Sequence, residues 1–396
     1  FTDKKTILFK ILTFKPIVFL GLISYSLYLW HQPLFAFNRI YFGADLSNNH
    51  LFLLIIISLI LSIFSWYFIE QPFRNRKRIS DKNFLRFLSL LTLSILILTS
   101  LIYFEKINSY KKQLPENLKK TIKYSNNDNC FGLKDSHLEI KEKWYCLVGN
   151  KKSKISFVVL GDSHASVAKP GFELAALDKN KKGILTGYAG CPSLLNTQSI
   201  RPDTVEKNCK LLTKKVFNFI KKNEIKKIFL VGRWTYYTGQ GYSNREFQPI
   251  TNDNKLFSNI KNSREAFLRG LQDTIKAYND INVDLIFVHQ VPMQIYDPEF
   301  AYLNSYNFTK QNVDLNKLEM FSVDRNKSKD LQKFVRDDIK NLKNEYSFKV
   351  IDLFDLFCNK KKCLMGSKNF SYYSDDDHLS IKGAELLKNK ISYYLD

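Results

Sequence analysis

Glycine is scarce in this chain, with 15 in 396 residues against a usual share of ~7%. Tight, left-handed backbone turns therefore have few places to form, and a glycine beside a polar cluster is informative. Cysteine is missing from the first 129 residues, and all six lie later, at 130, 146, 191, 209, 358 and 363. No C-x-x-C and no paired histidine spacing accompanies them, so a zinc site has no support and no metal is expected. There is no internal repeat and no low-complexity tract. A hydrophobic share of 45% excludes wholesale disorder, and the length excludes a disulfide-stapled miniprotein.

What is present is unevenly spread. The mean hydropathy of −0.24 and the net charge of +22 describe a basic soluble protein only on average. Residues 17–37, 51–69 and 87–104 are long apolar runs, each close to the ~20 residues that cross a bilayer core. Three in the first 104 residues, two of them without charge, point to membrane spans rather than buried core helices. The first lacks a small-residue cleavage site and is followed by further runs, which excludes a signal peptide. Arg74, Arg76, Lys77, Arg78, Lys82 and Arg86 lie between the second and third runs, whereas 43–50 carries no Lys or Arg. The positive-inside rule then places 70–86 and the amino terminus, with Lys4, Lys5, Lys10 and Lys15, in the cytoplasm, and everything after about residue 105 on the far side. Three spans make a thin membrane domain and the chain begins Phe1-Thr2-Asp3 without Met, so further transmembrane helices of the same protein are expected upstream.

An even number of cysteines confined to the exported part suggests disulfides in an oxidising compartment, and local separations favour Cys130–Cys146, Cys191–Cys209 and Cys358–Cys363. After a polar linker over 106–150, short apolar runs at 155–160, 183–188, 227–232, 284–289 and 348–353 alternate with amphipathic stretches. Phe267, Leu271 and Ile275 recur at helical spacing within 260–279, as do Leu387, Ile391 and Leu395 within 380–395. Five buried-type strands separated by helices predict a three-layer α/β domain over 151–396 with a mainly parallel five-stranded sheet. Its active site would lie beyond the carboxyl ends of the strands.

Two polar segments fall where that chemistry belongs. The first strand runs into Gly161-Asp162-Ser163-His164 and then a helical stretch. A serine at such a turn exposes its hydroxyl at the sheet edge and places its own N–H at a helix start. Just before the last helix comes Ser374-Asp375-Asp376-Asp377-His378-Leu379-Ser380. A neutral His can take a serine proton, and an Asp three residues earlier can hold its other ring nitrogen. Each segment alone reads as an ordinary capped turn; the pairing of first strand end and last helix start in one α/β domain is the signal.

The G-D-S-H after strand one and the D-x-x-H before the final helix resemble the first and fifth sequence blocks of the SGNH (GDSL-like) hydrolase superfamily. That resemblance implies Ser163 as nucleophile, His378 as general base and Asp375 as its orienting partner, with Asp376 and Asp377 at the wrong spacing. It also implies an oxyanion hole from the Ser163 N–H and a glycine N–H, Gly190 first and Gly187 second. The third block departs from the family's Gly-x-Asn-Asp: the strand ends Val231-Gly232-Arg233-Trp234-Thr235-Tyr236, without Asn. Arg233 stands as a replacement donor or as a side chain closing the sheet edge; Trp234 stands as a sugar-stacking residue or the same. His289 reads as a lining residue.

The membrane half has a resemblance of its own. Lys15 through Pro33 (KPIVFLGLISYSLYLWHQP) and Trp66 through Arg74 (WYFIEQPFR) are similar to the last core helices of the acyltransferase-three family of membrane O-acyltransferases, one branch of which carries a fused periplasmic SGNH domain. The expected division is therefore 1–105 membrane helices, 106–150 linker and 151–396 catalytic domain. His31 and Glu70, at the spans, have a functional reading and an equally good one as packing and anchoring groups beside Trp30 and Trp66. The resemblance implies an O-acyltransferase, O-acetyl by family, acting on a surface glycan such as lipopolysaccharide O-antigen. It implies a bacterial inner-membrane location with the C-terminal domain in the periplasm. Acetyl-CoA would be acyl donor to the full-length membrane part, with no cofactor bound to this portion and no nucleic-acid partner. A membrane-anchored acetylesterase and a non-catalytic glycan-binding module are the alternatives. Residues 1–108 hold 12 Lys+Arg and 5 Asp+Glu, which leaves most of the positive charge on the exported part, where it suits an anionic glycan or a solvated surface.

Overall fold

The computed structural model describes residues 7–42, 48–74, 81–109, 113–123, 144–200, 205–239, 241–242, 247–253 and 259–396. The chain divides into two compact units, Phe1–Ser109 and Tyr110–Asp396.

The first unit is helical: Ile7–Leu12, Lys15–Phe42, Asn48–Ser65 and Asp81–Ser109. The third of these runs on through a π-helical turn, Trp66–Glu70, into Gln71–Arg74. Lys15–Phe42 packs against Asn48–Ser65 through Ile23, Ser26, Leu54, Ser58 and Ser62, all buried. Small serines allow the close approach, and Ser58 and Ser62 satisfy their hydroxyls on the carbonyls of Ile55 (2.8 Å) and Ser58 (2.5 Å) in their own helix. Among the described residues two helices, not three, are long and apolar enough to cross a membrane: Asn49–Arg74 with mean hydropathy 2.6 and Phe84–Tyr103 with 2.1. The run expected to span at 17–37 is one unbroken helix, but Tyr25, Tyr28, His31, Gln32 and Pro33 dilute its apolar character. Residues 43–47 of the loop without Lys or Arg, and Arg76, Lys77 and Arg78, lie outside the described residues.

The second unit is built on a six-stranded sheet. We number its strands β1 (Cys146–Gly149), β2 (Ile155–Gly161), β3 (Lys182–Gly187), β4 (Lys227–Val231), β5 (Asp284–Val288) and β6 (Lys349–Ile351). The spatial order is β1-β3-β2-β4-β5-β6; β1 runs antiparallel to β3 and every other pairing is parallel. The expected five strands are present, and β1 corrects the count. It falls in the stretch read as linker because four residues with Leu147 facing outward make no apolar run. The same stretch supplies the helix Glu116–Ile122, whose Leu118 and Ile122 enter the core, while the Ser371 N–H donates to Thr121 Oγ1 at 3.2 Å. The C-terminal unit thus starts at Tyr110 rather than 151.

Both faces of the sheet are covered, as near-continuous apolar strands require. Along β2, Phe157 and Val159 enter one core with Phe172 and Phe229, while Val158 and Leu160 enter the other with Phe267 and Trp234. The chain leaves β2 for β3 on one side and later crosses to β4 on the other, so the order reverses at β2. A crevice opens at the carboxyl end of a strand where successive connections diverge in this way. That end is Gly161. A Cβ there would sit 1.9 Å from the Val231 carbonyl oxygen, so only glycine lets β2 and β4 close up beneath the following turn. The disulfides Cys191–Cys209 and Cys358–Cys363 are formed; Cys130 lies outside the described residues.

Candidate active site

The turn after β2 is held by Asp162, a buried N-cap of the helix Ser163–Asp178. One carboxylate oxygen accepts the His164 N–H at 2.9 Å; the other accepts the Arg233 N–H and the Tyr237 hydroxyl, both at 2.9 Å. Asp162 therefore caps a helix and ties the ends of β2 and β4 together, leaving Ser163 at the helix's first position with its hydroxyl free to face the crevice. The second element is the loop 374–380. Ser374 N–H donates to the His378 carbonyl at 2.9 Å and closes the loop. Ser380 caps the next helix through the Gly383 N–H at 3.0 Å and anchors its own hydroxyl on the Ser371 carbonyl at 2.6 Å.

These two rigid turns bring Ser163 and His378 together across 215 residues, with Nε2 2.7 Å from Oγ. His378 Nδ1 faces two carboxylates, Asp375 Oδ2 at 2.9 Å and Asp377 Oδ1 at 2.7 Å. The remaining oxygen of Asp375 accepts the N–H groups of Asp377 (2.9 Å) and His378 (2.6 Å), an Asx-type turn that shapes the loop. Asp377 Oδ2 lies 2.6 Å from the Arg233 guanidinium and 3.5 Å from His164 Nε2. The two imidazoles are 4.8 Å apart between ring centres. Burial alone would lower the His378 pKa, but the carboxylates of Asp375 and Asp377 outweigh it and push it up to about 10. Burial alone would raise that of Asp377, yet His164 and His378 hold it far below the usual carboxylate range.

Residues 129–392 match the family described as the SGNH domain fused to AT3 domains. The chain belongs to this family. Over 68 residues it is 34% identical to the O-acetyltransferase OatA of Staphylococcus aureus, a match that covers 17% of this chain and only 11% of that protein. The periplasmic domain of the lipopolysaccharide acetyltransferase of Salmonella ser. Paratyphi A superposes with a TM-score of 0.47 at 16% identity, covering 67% of this chain and 90% of that one. A putative acylhydrolase from Bacteroides fragilis gives a TM-score of 0.34 at 10% identity, covering 62% and 89%.

Within the SGNH domain, the other residues singled out from sequence are placed differently from one another. Gly190 has φ 74°, in a turn closed by the Cys191 N–H on the Tyr188 carbonyl at 3.0 Å, and its own carbonyl takes the Ser199 hydroxyl at 2.8 Å. Gly187 ends β3 and pairs with Gly161. Arg233 spends its guanidinium on Asp377. Trp234 is 1% exposed, stacks on Phe287 at 4.6 Å and donates Nε1–H to the Val288 carbonyl at 2.8 Å. It is a core residue and has no face to offer a sugar, which corrects that expectation. His289 lines a small apolar cavity with His164 and Gln290, and burial first, then the Arg336 charge, lower its pKa to about 4. In the helical unit, His31 Nδ1 is 3.0 Å from the Leu27 carbonyl, and Glu70 takes the Ser26 hydroxyl at 3.1 Å and Arg74 at 2.7 Å. Asp162 and His164 were missed from sequence, and Asp377 was set aside there on family spacing. The consecutive acids before His378 and the polar residues flanking Ser163 were the available signal, but spacing alone cannot say which carboxylate is buried.

Among the described residues two groups could hold a cation by proximity: His164, Asp377 and His378, and Asp375, Asp376 and Asp377, with ligand atoms within 4.8 Å of one another. In both, Asp377 already faces Arg233, and in the first His378 also meets Ser163, so the donors face protein partners.

Proposed function

We propose that this chain is part of a membrane O-acetyltransferase in which Ser163, His378 and a carboxylate on His378 form an acyl-enzyme and pass the acyl group to a sugar hydroxyl. The observation that carries the reading is the 2.7 Å contact between His378 Nε2 and Ser163 Oγ in a domain of this family. Ser163 Oγ attacks the acyl carbonyl while Nε2 takes its proton. The C–O or C–S bond to the donor breaks, and the imidazolium returns the proton to the leaving group. An acceptor hydroxyl then gives its proton to Nε2, its oxygen bonds to the acyl carbon, and the Ser163 ester breaks and regains a proton. The Ser163 N–H, at a helix start, and the Gly190 N–H are the proposed oxyanion donors.

The location and substrates proposed next are supported by the family resemblance and not by the geometry. We place the helical unit in the bacterial inner membrane and the SGNH domain in the periplasm. The proposed donor is acetyl-CoA, used through the membrane part of the protein, and the proposed acceptor is a surface glycan such as lipopolysaccharide O-antigen. The alignment with OatA spans about a tenth of that relative, so nothing of its wider activity is carried over. The test is to give the full chain in detergent p-nitrophenyl acetate with and without acceptor glycan. Acetylated glycan together with faster p-nitrophenolate release supports transfer. Hydrolysis indifferent to acceptor means an esterase. No release and no labelling by a serine-directed phosphonate means a binding module.

A further inference from the structure

We propose that Tyr296 and Phe300, backed by Phe321 and rimmed by Glu299, form an aromatic platform on which a neutral sugar of the acceptor glycan stacks while another sugar of the same chain meets Ser163. The inference rests on the acceptor reading given above and deepens it. With Trp234 buried, ring faces for a sugar come from another element, and the segment that follows β5 supplies them. Asp297 caps the helix Pro298–Ser305, accepting the Glu299 N–H at 2.8 Å, and Pro298 takes its first turn. The cap brings Tyr296, just before it, against Phe300, one turn in: the rings lie within 18° of parallel with centres 5.9 Å apart. Phe321, at the end of the helix Leu315–Phe321, stands at right angles to both, at 5.4 and 5.7 Å. Such ring contacts are worth about 0.5–1.5 kcal/mol each, so the rings are held in one arrangement before a ligand arrives. Tyr296 and Phe321 are half-buried, while Phe300 is 36% exposed and Met320, next to Phe321, 76%.

One buried residue ties this platform to the loop that carries His378. The Gln294 N–H donates to the Asp376 carbonyl at 2.6 Å. Its side chain accepts the Val323 N–H at 3.1 Å, two residues past Phe321, and donates to the carbonyl of the disulfide-bonded Cys363 at 3.1 Å. Tyr296 is two residues beyond Gln294, and His378 two beyond Asp376. Each such step spans at most about 7 Å, so the platform borders the crevice within reach of a chain of a few sugars.

The charge around the rings separates a sugar from a lipid surface. Residues 296–321 hold Asp297, Glu299, Asp314 and Glu319 against Lys310 and Lys317, in a domain that is basic as a whole. A face that lies on anionic lipid gathers Lys and Arg around its apolar residues. Here Glu299, exposed beside Phe300, offers carboxylate oxygens to sugar hydroxyls instead. Aromatic surface with a few polar acceptors at its edge is what a neutral sugar needs.

The experiment is binding of the full chain in detergent to a printed array of neutral bacterial polysaccharides and malto-, cello- and chito-oligosaccharides. The unaltered protein is expected to bind neutral glycans. Phe300→Leu and Tyr296→Leu should each weaken that binding roughly three- to tenfold, because Leu keeps apolar bulk and loses the ring face, and Phe300→Tyr should retain it. A ring that only packs would leave binding unmoved in Phe300→Leu. Unchanged binding in that variant, or no neutral glycan bound by the unaltered protein, overturns the proposal. If Phe300→Leu does not fold by thermal melting, Glu299→Ala on the exposed rim replaces it: weaker glycan binding supports the proposal and unchanged binding overturns it. In phosphatidylglycerol nanodiscs, extra quenching of Phe300→Trp emission by brominated lipid, over that of the unaltered protein, would assign the face to lipid and overturn the proposal. A dimer in detergent that Phe300→Leu dissociates would assign it to a second copy, with the same consequence. Ser163→Ala should keep glycan binding and lose the p-nitrophenolate burst; a burst that persists there sinks the underlying reading of the nucleophile and leaves the array result standing.

Discussion

The two units bury their apolar side chains in opposite ways. Along Phe84–Tyr103, Leu90, Leu96 and Ile102 are 64%, 59% and 61% exposed, whereas Val158, Val159 and Leu160 of β2 are wholly buried. The C-terminal unit finds its apolar partners within its own chain, as an α/β sheet covered on both faces does. The helices lack such partners among the described residues and suit lipid or other helices. What holds the helices together is close approach at serines and the Glu70–Ser26 contact. What holds the SGNH domain together is a core supplemented by disulfides and buried ion pairs. The Ser163–His378 pair accordingly lies in the unit whose hydrogen-bonded turns fix its geometry at the end of β2.

Four measurements would break or sharpen this contrast. The largest effect belongs to Ser163→Ala, expected to cut the p-nitrophenyl acetate burst by roughly 10³-fold or more while the fraction of chain in membranes stays as it was. Next, Leu160→Ala should cost about 2–5 kcal/mol in urea unfolding of the SGNH domain, and Leu96→Ala, on a helix with no buried residue in its apolar stretch, should leave that transition unmoved; equal losses would mean the helices belong to the same core. Third, removing Cys191–Cys209, which closes a separation of 18 residues, should cost about 3 kcal/mol in the SGNH domain and nothing in helix content of the first unit. The smallest effect is a pH trend. The His378 pKa is raised to about 10 from 6.5, so the burst rate should climb as pH rises from neutral towards that value, and the stability contributed by its ion pairs, present in full below 6.5, should drain away over the same window. A burst independent of pH between 7 and 9 would show that His378 is not the base.

The Ser163 and His378 segments were legible because each is local: a polar motif at a strand end and another before a helix. The neighbours of His378 were not. Family spacing points to Asp375, and Asp375 does lie on Nδ1, but the burial of Asp377 depends on Arg233, 144 positions earlier, and on the packing of His164. Trp234 reads as a sugar-stacking residue or as one closing the sheet edge, and the helical turn Trp234–Thr238 folds it back onto Phe287. The edge strand β1 escaped because it buries one face only.

The sequence by itself determined the apolar helices, the five parallel strands and the two turns that carry Ser163 and His378, because periodicity and capping act over a few residues. The tertiary structure alone decided the strand order that opens the crevice at Gly161, the placing of an antiparallel edge on β3, and which carboxylate beside His378 is shielded from water. Those depend on which distant segments share a dielectric environment, and no local pattern encodes that.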